Sequence, residues 1–106
     1  MKFETKFELG MRPWSVEYPY YRGGSPVCRI AQDARKIAEI AVMFVEDRVA
    51  ETPYYRSGNG VLEPYDLPTF PMKEEAVAHV RDIYRKAIRN AKSDIEFFKK
   101  ALEELE

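Results

Sequence analysis

A chain of 106 residues with 45% hydrophobic and 33% charged content has room for one core and too much apolar material to stay disordered. A net charge of −1 excludes a global field that would draw it onto nucleic acid or an anionic membrane, and a lone cysteine, Cys28, excludes an internal disulfide. The longest near-apolar run, Ile37 to Val45, carries Glu39 and falls well short of the roughly 20 residues a membrane span needs.

From the N-terminus, MKFETKFELG alternates charge and apolar residues too closely for a signal peptide, and the expectation is a cytoplasmic protein. The chain divides near Pro71. Every proline and glycine lies at or before Pro71, together with all the Phe, Trp and Tyr residues except Tyr84, Phe97 and Phe98. Turn-formers and aromatics in the first part point to short strands and loops, and their absence afterwards points to uninterrupted helix. The expected fold is α+β within a single domain, with a β-rich body (residues 1–70) and a helix (71–106). The body is a small bent antiparallel sheet or partial barrel of four or five strands over residues 7–67.

Strand-forming segments PWSVEYPYY (13–21) and SPVCRI (25–30) flank Arg22-Gly23-Gly24, a hairpin signal because paired glycines supply positive φ. The stretch AQDARKIAEIAVMFVEDRVAE supports two readings. Ile37, Ile40, Ala41 and Phe44 fit helical spacing, whereas Ile40, Val42 and Phe44 alternate as in a strand. The β-rich IAVMFV favours a strand over about 39–45, after a short helical turn near 32–36, with Glu46-Asp47 turning into RVAETPYY. Residues 48–56 and 61–67 then flank a second turn, Ser57-Gly58-Asn59-Gly60.

Beyond Pro71 the spacing predicts one helix over about 71–105. Proline suits a first helical position, and Glu74 and Glu75 meet the positive end of the helix dipole. Val77, Val80, Tyr84, Ile88, Ala91, Ile95, Phe98, Leu102 and Leu105 recur at steps of three and four, a near-heptad seam. A helix of that length, at about 1.5 Å per residue, outruns the small body it belongs to. It therefore overhangs and pairs with a second copy in a homodimer, or it breaks near Asn90–Ser93 into two shorter helices that fold back.

One short element occurs twice. EYPYYRGG (17–24) and ETPYYRSG (51–58) share Glu, Pro, Tyr, Tyr, Arg and the final Gly. Read structurally, this is hairpin chemistry used twice, since tyrosines pair across strands and arginine stacks on exposed rings. Read functionally, Tyr20, Tyr21 and Arg22, with Tyr54, Tyr55 and Arg56, form aromatic faces beside guanidinium forks that suit a base or a phosphate. Arg81, Arg85 and Arg89 form a third candidate group, one stripe at i, i+4 and i+8. They make a solvated face or line an anion groove between helix and sheet, facing the Tyr-Arg turns.

No constellation for catalysis is present, and no metal or cofactor is expected. His79 is the sole histidine and sits off the apolar seam, where exposure is expected. Cys28 has no sequence-adjacent base and fits a small core residue. Glu17 and Glu51, equivalent in the two repeats, fit a strand-surface role.

The order FELG-x-x-PWSVEY (7–18), EIAVMFV, PYYRSGNGVLEPYDL and FPMKEEA opening a C-terminal helix resembles small proteins encoded by phages and mobile elements. These are short β-sheet or SH3-like bodies ending in an F-x-T-K-E-E-A helix. The Thr of that pattern is Met72 here. The group includes anti-CRISPR proteins and other anti-defence proteins, among them sponges that sequester nucleotide signals. The resemblance implies a phage-encoded, non-catalytic inhibitor of bacterial immunity that blocks a host defence protein or binds a nucleotide signal. It also implies a dimer built through C-terminal helices and a site of aromatic and arginine residues, which here are Tyr20, Arg22, Tyr54, Arg56, Arg81, Arg85 and Arg89. The alternatives are a nucleic-acid-binding module that stacks bases on the Tyr-Arg hairpins, and a structural dimerisation protein.

Overall fold

The computed structural model describes residues 4–65 and 68–105. Its first element is the hairpin marked by the glycine pair. β1 (Trp14–Arg22) and β2 (Ser25–Gln32) run antiparallel, and Gly23 and Gly24, at φ 58° and 79°, make the two-residue loop. Positive φ at both positions gives the turn a twist that matches the strands, and glycine meets it without a steric penalty. Pro19 lies inside β1, not at its start. The register slips between Glu17 and Tyr20, so the proline, which has no ladder donor, sits in an irregularity.

A short β7 (Thr69–Phe70) pairs with the other side of β1, giving a three-stranded sheet in the order β2-β1-β7. β3 (Ile37–Ala41) pairs with β6 (Tyr54–Ser57), and β4 (Phe44–Val45) pairs with β5 (Arg48–Val49), so these strands form two further two-stranded sheets. All pairings are antiparallel, and the body does not close into a barrel. The expected strand over 39–45 is thus two strands separated at Val42–Met43. Glu46 and Asp47 do form the turn, both at positive φ. The helical turn expected near 32–36 is instead a bend in which the Asp33 carboxylate accepts the Arg35 amide at 2.8 Å. A short acidic side chain that bonds the backbone two residues ahead competes with helix formation. Of the second expected strand of the repeat's turn, residues 66–67 lie outside the described residues; Glu63 forms an isolated bridge with Tyr55.

Two apolar clusters hold the body. Phe7, Ile37 and Tyr55 are buried together, with Met11, Ile40 and Tyr65 against them. The Tyr55 ring stacks on Tyr65 at 5.8 Å and meets the edge of Phe7 at 5.0 Å. Val16, Phe70 and Ala76 form the second cluster, flanked by Trp14, Cys28, Ile30 and Val80. Burying Val16 and Phe70 stabilises by about 1.5–3 kcal/mol each, and Ala76 and Val80 bring the helix onto the three-stranded sheet in this second cluster.

α1 (Lys73–Glu104) is one unbroken helix of 32 residues, about 48 Å long at 1.5 Å per residue. It starts two residues later than expected. Met72 is the N-cap, in extended conformation and with no side-chain cap, so Pro71 lies outside the helix. Glu74 and Glu75 do occupy the first turn. The break near Asn90–Ser93 does not occur, because α1 runs through it. The overhang dominates the shape, with extents of 65 × 32 × 21 Å and a radius of gyration of 19.8 Å. A compact chain of this length would have a radius of about 13 Å. No helix among the described residues is long and apolar enough to cross a membrane.

Candidate functional site

Strand alternation sends Tyr20 and Tyr21 to opposite faces of the β1–β2 hairpin, and they pair in register with Val27 and Pro26. Both faces are uncovered there, leaving Tyr20 58% and Tyr21 64% exposed. Arg22 closes the strand beside the glycine turn, also exposed. Further down the same hairpin Arg29 binds the carboxylate of its cross-strand partner Glu17 through Nε at 2.8 Å and through Nη2. Exposed pairs of this kind contribute little to stability. The outer part of the hairpin is therefore a projecting arm with two rings and a guanidinium at its end.

The second copy of the repeat has the opposite environment. Tyr55 is 2% exposed, and its hydroxyl accepts the Lys6 amide at 2.7 Å. Ser57 is buried and hydrogen-bonds the Tyr65 hydroxyl at 2.6 Å. Tyr54 and Arg56 are half-buried, and the Arg56 guanidinium donates to the Gly58 carbonyl. A Cβ on Gly58 would come within 3.0 Å of the Arg35 side chain, which lies under this turn. The two copies belong to different sheets and do not combine into one site. Tyr55 builds the core and Arg56 braces the turn, with Tyr54 half-buried beside them, whereas Tyr20, Tyr21 and Arg22 face solvent.

The arginine stripe does not face the sheet. α1 approaches the body through Ala76 and Val80. Arg85, nine residues beyond Ala76, stands half a turn round the helix from it at 100° per residue. Arg81, Arg85 and Arg89 are all exposed, with Arg85 3.9 Å from Asp82. Among the described residues the stripe forms a solvated face and lines no groove between helix and sheet, because the helix places its arginines on the outward face and alanine and valine on the inward one.

Two contacts between helix and sheet carry no signal in the linear sequence. His79, expected to be exposed, turns towards the body: its Nε2 lies 3.0 Å from the Tyr18 hydroxyl and its ring 5.3 Å from that of Phe70. The Tyr84 hydroxyl accepts the Cys28 amide at 3.0 Å and donates to the Cys28 carbonyl at 3.4 Å. Burial pushes the Cys28 thiol above its ordinary range, partly opposed by its hydrogen bond with Tyr84. Burial also raises the Tyr18 phenol, helped by the neighbouring Cys28 and Tyr21. These shifts favour the neutral, unreactive forms.

Several clefts open on the body. One of about 450 Å³ is lined by Lys6, Pro53, Tyr55, Pro64 and Tyr65 among others, and one of about 310 Å³ by Asp33, Arg35, Glu63 and Tyr65 among others. No group of three or more His, Cys, Asp and Glu residues among the described residues could hold a metal ion.

A long uncovered surface lies on α1. From Ile88 to Lys100 every residue is exposed. Ile88, Ile95, Phe98, Leu102 and Leu105 are each more than half accessible, Leu105 at 83%. The near-heptad seam thus begins on the sheet, at Val80 and Tyr84, and continues into solvent. No protein-family model, curated protein or solved structure matches this chain.

Proposed function

We propose that the chain is a non-catalytic, cytoplasmic binding protein that acts as a homodimer. The overhanging half of α1 joins two copies, and the β1–β2 arm of each presents Tyr20, Tyr21 and Arg22 to a target. The observation that carries this reading is the exposed seam from Ile88 to Leu105. A contiguous apolar stripe of this length in water marks an association surface, because isolated exposed leucines are common but aligned ones at three-four spacing are not. The engagement of the sole histidine by Tyr18 and Phe70 supports a structural role for it in place of a catalytic one.

The resemblance to phage and mobile-element proteins supports a narrower target class. On that reading the protein inhibits bacterial immunity by occupancy, covering a defence protein or holding a nucleotide signal between rings and guanidinium. The nucleic-acid module is the second reading, favoured by the exposure of both tyrosines beside Arg22.

A thermal-shift panel of nucleotides and oligonucleotides, run beside phage-plating assays in bacteria carrying defined defence systems, tests the target. A nucleotide at about 100 times its dissociation constant stabilises by about 2.7 kcal/mol. A shift with a nucleotide, or restored plating lost in a Tyr21→Ala/Arg22→Ala variant of unchanged melting, fits the inhibitor. Oligonucleotide affinity that falls steeply with salt fits the second reading. No shift and no restored plating with any member would contradict the inhibitor reading.

A further inference from the structure

We infer that the occupant of the exposed α1 seam is a second copy of the chain running parallel and in register, so that both bodies sit at one end of a two-helix rod. The inference rests on the homodimer reading and adds its direction. With Ile88, Ile95 and Leu102 as the first core position of each heptad and Tyr84, Ala91, Phe98 and Leu105 as the second, the flanking positions follow from the sequence. The flank following the second core position carries Arg85, Lys92 and Lys99, all basic. The opposite flank carries Ala87, Asp94 and Ala101.

Direction decides which flanks meet. In a parallel pair each flank faces the opposite flank of the partner, one heptad on, so Asp94 of each copy meets Lys99 of the other and no like charges are opposed. In an antiparallel pair each flank faces its own kind. With the overhangs fully overlapped, Lys92 meets Lys99 twice. A shift of one heptad sets Lys92 against Lys92, Arg85 against Lys99 and Asp94 against Asp94. Every antiparallel register therefore opposes like charges along the basic flank.

The fold leaves room for the parallel arrangement. Ala76 and Val80 face the sheet, and the exposed part of the seam, from Ile88 onward, lies about a sixth of a turn round the helix from them at 3.6 residues per turn. A two-fold axis along the rod then carries the two sheets to opposite sides of the helix pair. Alanine at positions 87, 91 and 101 keeps the backbones free to approach. Two β1–β2 arms at one end would engage a two-fold target with the gain that linked sites confer.

Cysteine cross-linking on the full chain, in a Cys28→Ser background, tests the direction. Ile88→Cys and Leu102→Cys are made singly, about 21 Å apart along the axis at 1.5 Å per residue. Sedimentation under reducing conditions reports association separately. The expected result is self-cross-linking by oxidised glutathione at both positions in chains that sediment as dimers. Cross-linking at one position only, or only in a mixture of the two variants, overturns the parallel direction while leaving the dimer intact. Monomers throughout, including the unsubstituted chain, overturn the dimer on which the inference rests. If either cysteine prevents association, charge reversal gives an independent sign. Lys99→Glu should weaken a parallel dimer by at least about threefold, with recovery on adding Asp94→Lys; tighter association on Lys99→Glu alone overturns the inference.

Discussion

The Tyr84 hydroxyl holds both backbone groups of Cys28, accepting its amide at 3.0 Å and reaching its carbonyl at 3.4 Å, across 56 positions of sequence. Cys28 lies in β2, an outer strand of the three-stranded sheet, opposite the irregularity at Pro19. A helix side chain thus covers part of an open strand edge, which would otherwise offer itself to another chain. Tyr84 is also where the seam leaves the body, since from Ile88 to Lys100 every helix residue is exposed.

Tyr84→Phe should therefore separate the two roles of that residue. Loss of the hydroxyl should cost about 1 kcal/mol, a fall of about 4–8 °C in melting temperature for a domain of this size. The ring remains, so oligomeric state should be unchanged. Differential scanning calorimetry with light scattering on the same sample checks both parts.

The two copies of the repeat should respond in opposite ways. Tyr55→Ala removes a ring packed against Phe7 and Tyr65 and should cost about 3–5 kcal/mol, a large part of the stability of a small domain. Tyr21→Ala, at an exposed position, should change stability by no more than about 0.5 kcal/mol. Urea unfolding followed by circular dichroism measures the contrast.

Stability should decline at alkaline pH through Cys28 and Tyr18. Both groups have folded pKa values above their ordinary ones. Their contribution is complete below the unfolded value and is lost as pH rises from there through the folded value, starting with the thiol above about pH 8.5. Melting curves taken from pH 7 to 11 should fall first in that thiol range. Cys28→Ala should remove this early part of the decline and leave the later tyrosine part.

The long helix was legible because nothing after Pro71 interrupts it and its apolar residues keep one period. The first hairpin was legible because Gly23-Gly24 demands one turn geometry. Other features depended on contacts that linear pattern does not contain. IAVMFV has strand propensity along its whole length, yet pairing with Tyr54–Ser57 stops at Ala41, and Phe44–Val45 pairs with Arg48–Val49 instead. The PYYR copies have the same local preferences, and only their tertiary neighbours bury one and expose the other. The arginine stripe was legible as a stripe, but its direction was set by Ala76 and Val80 choosing the sheet. His79 reads as a surface residue until Tyr18 and Phe70 are placed beside it.

Whether two copies share the overhanging helix is decided by sedimentation equilibrium of the full chain. The exposed run from Ile88 to Leu105 predicts a species of 24.8 kDa, twice the 12.4 kDa of one chain, and Ile95→Asp should return it to single chains without loss of helix content. A 12.4 kDa particle that persists to high concentration in the unsubstituted chain would contradict the account.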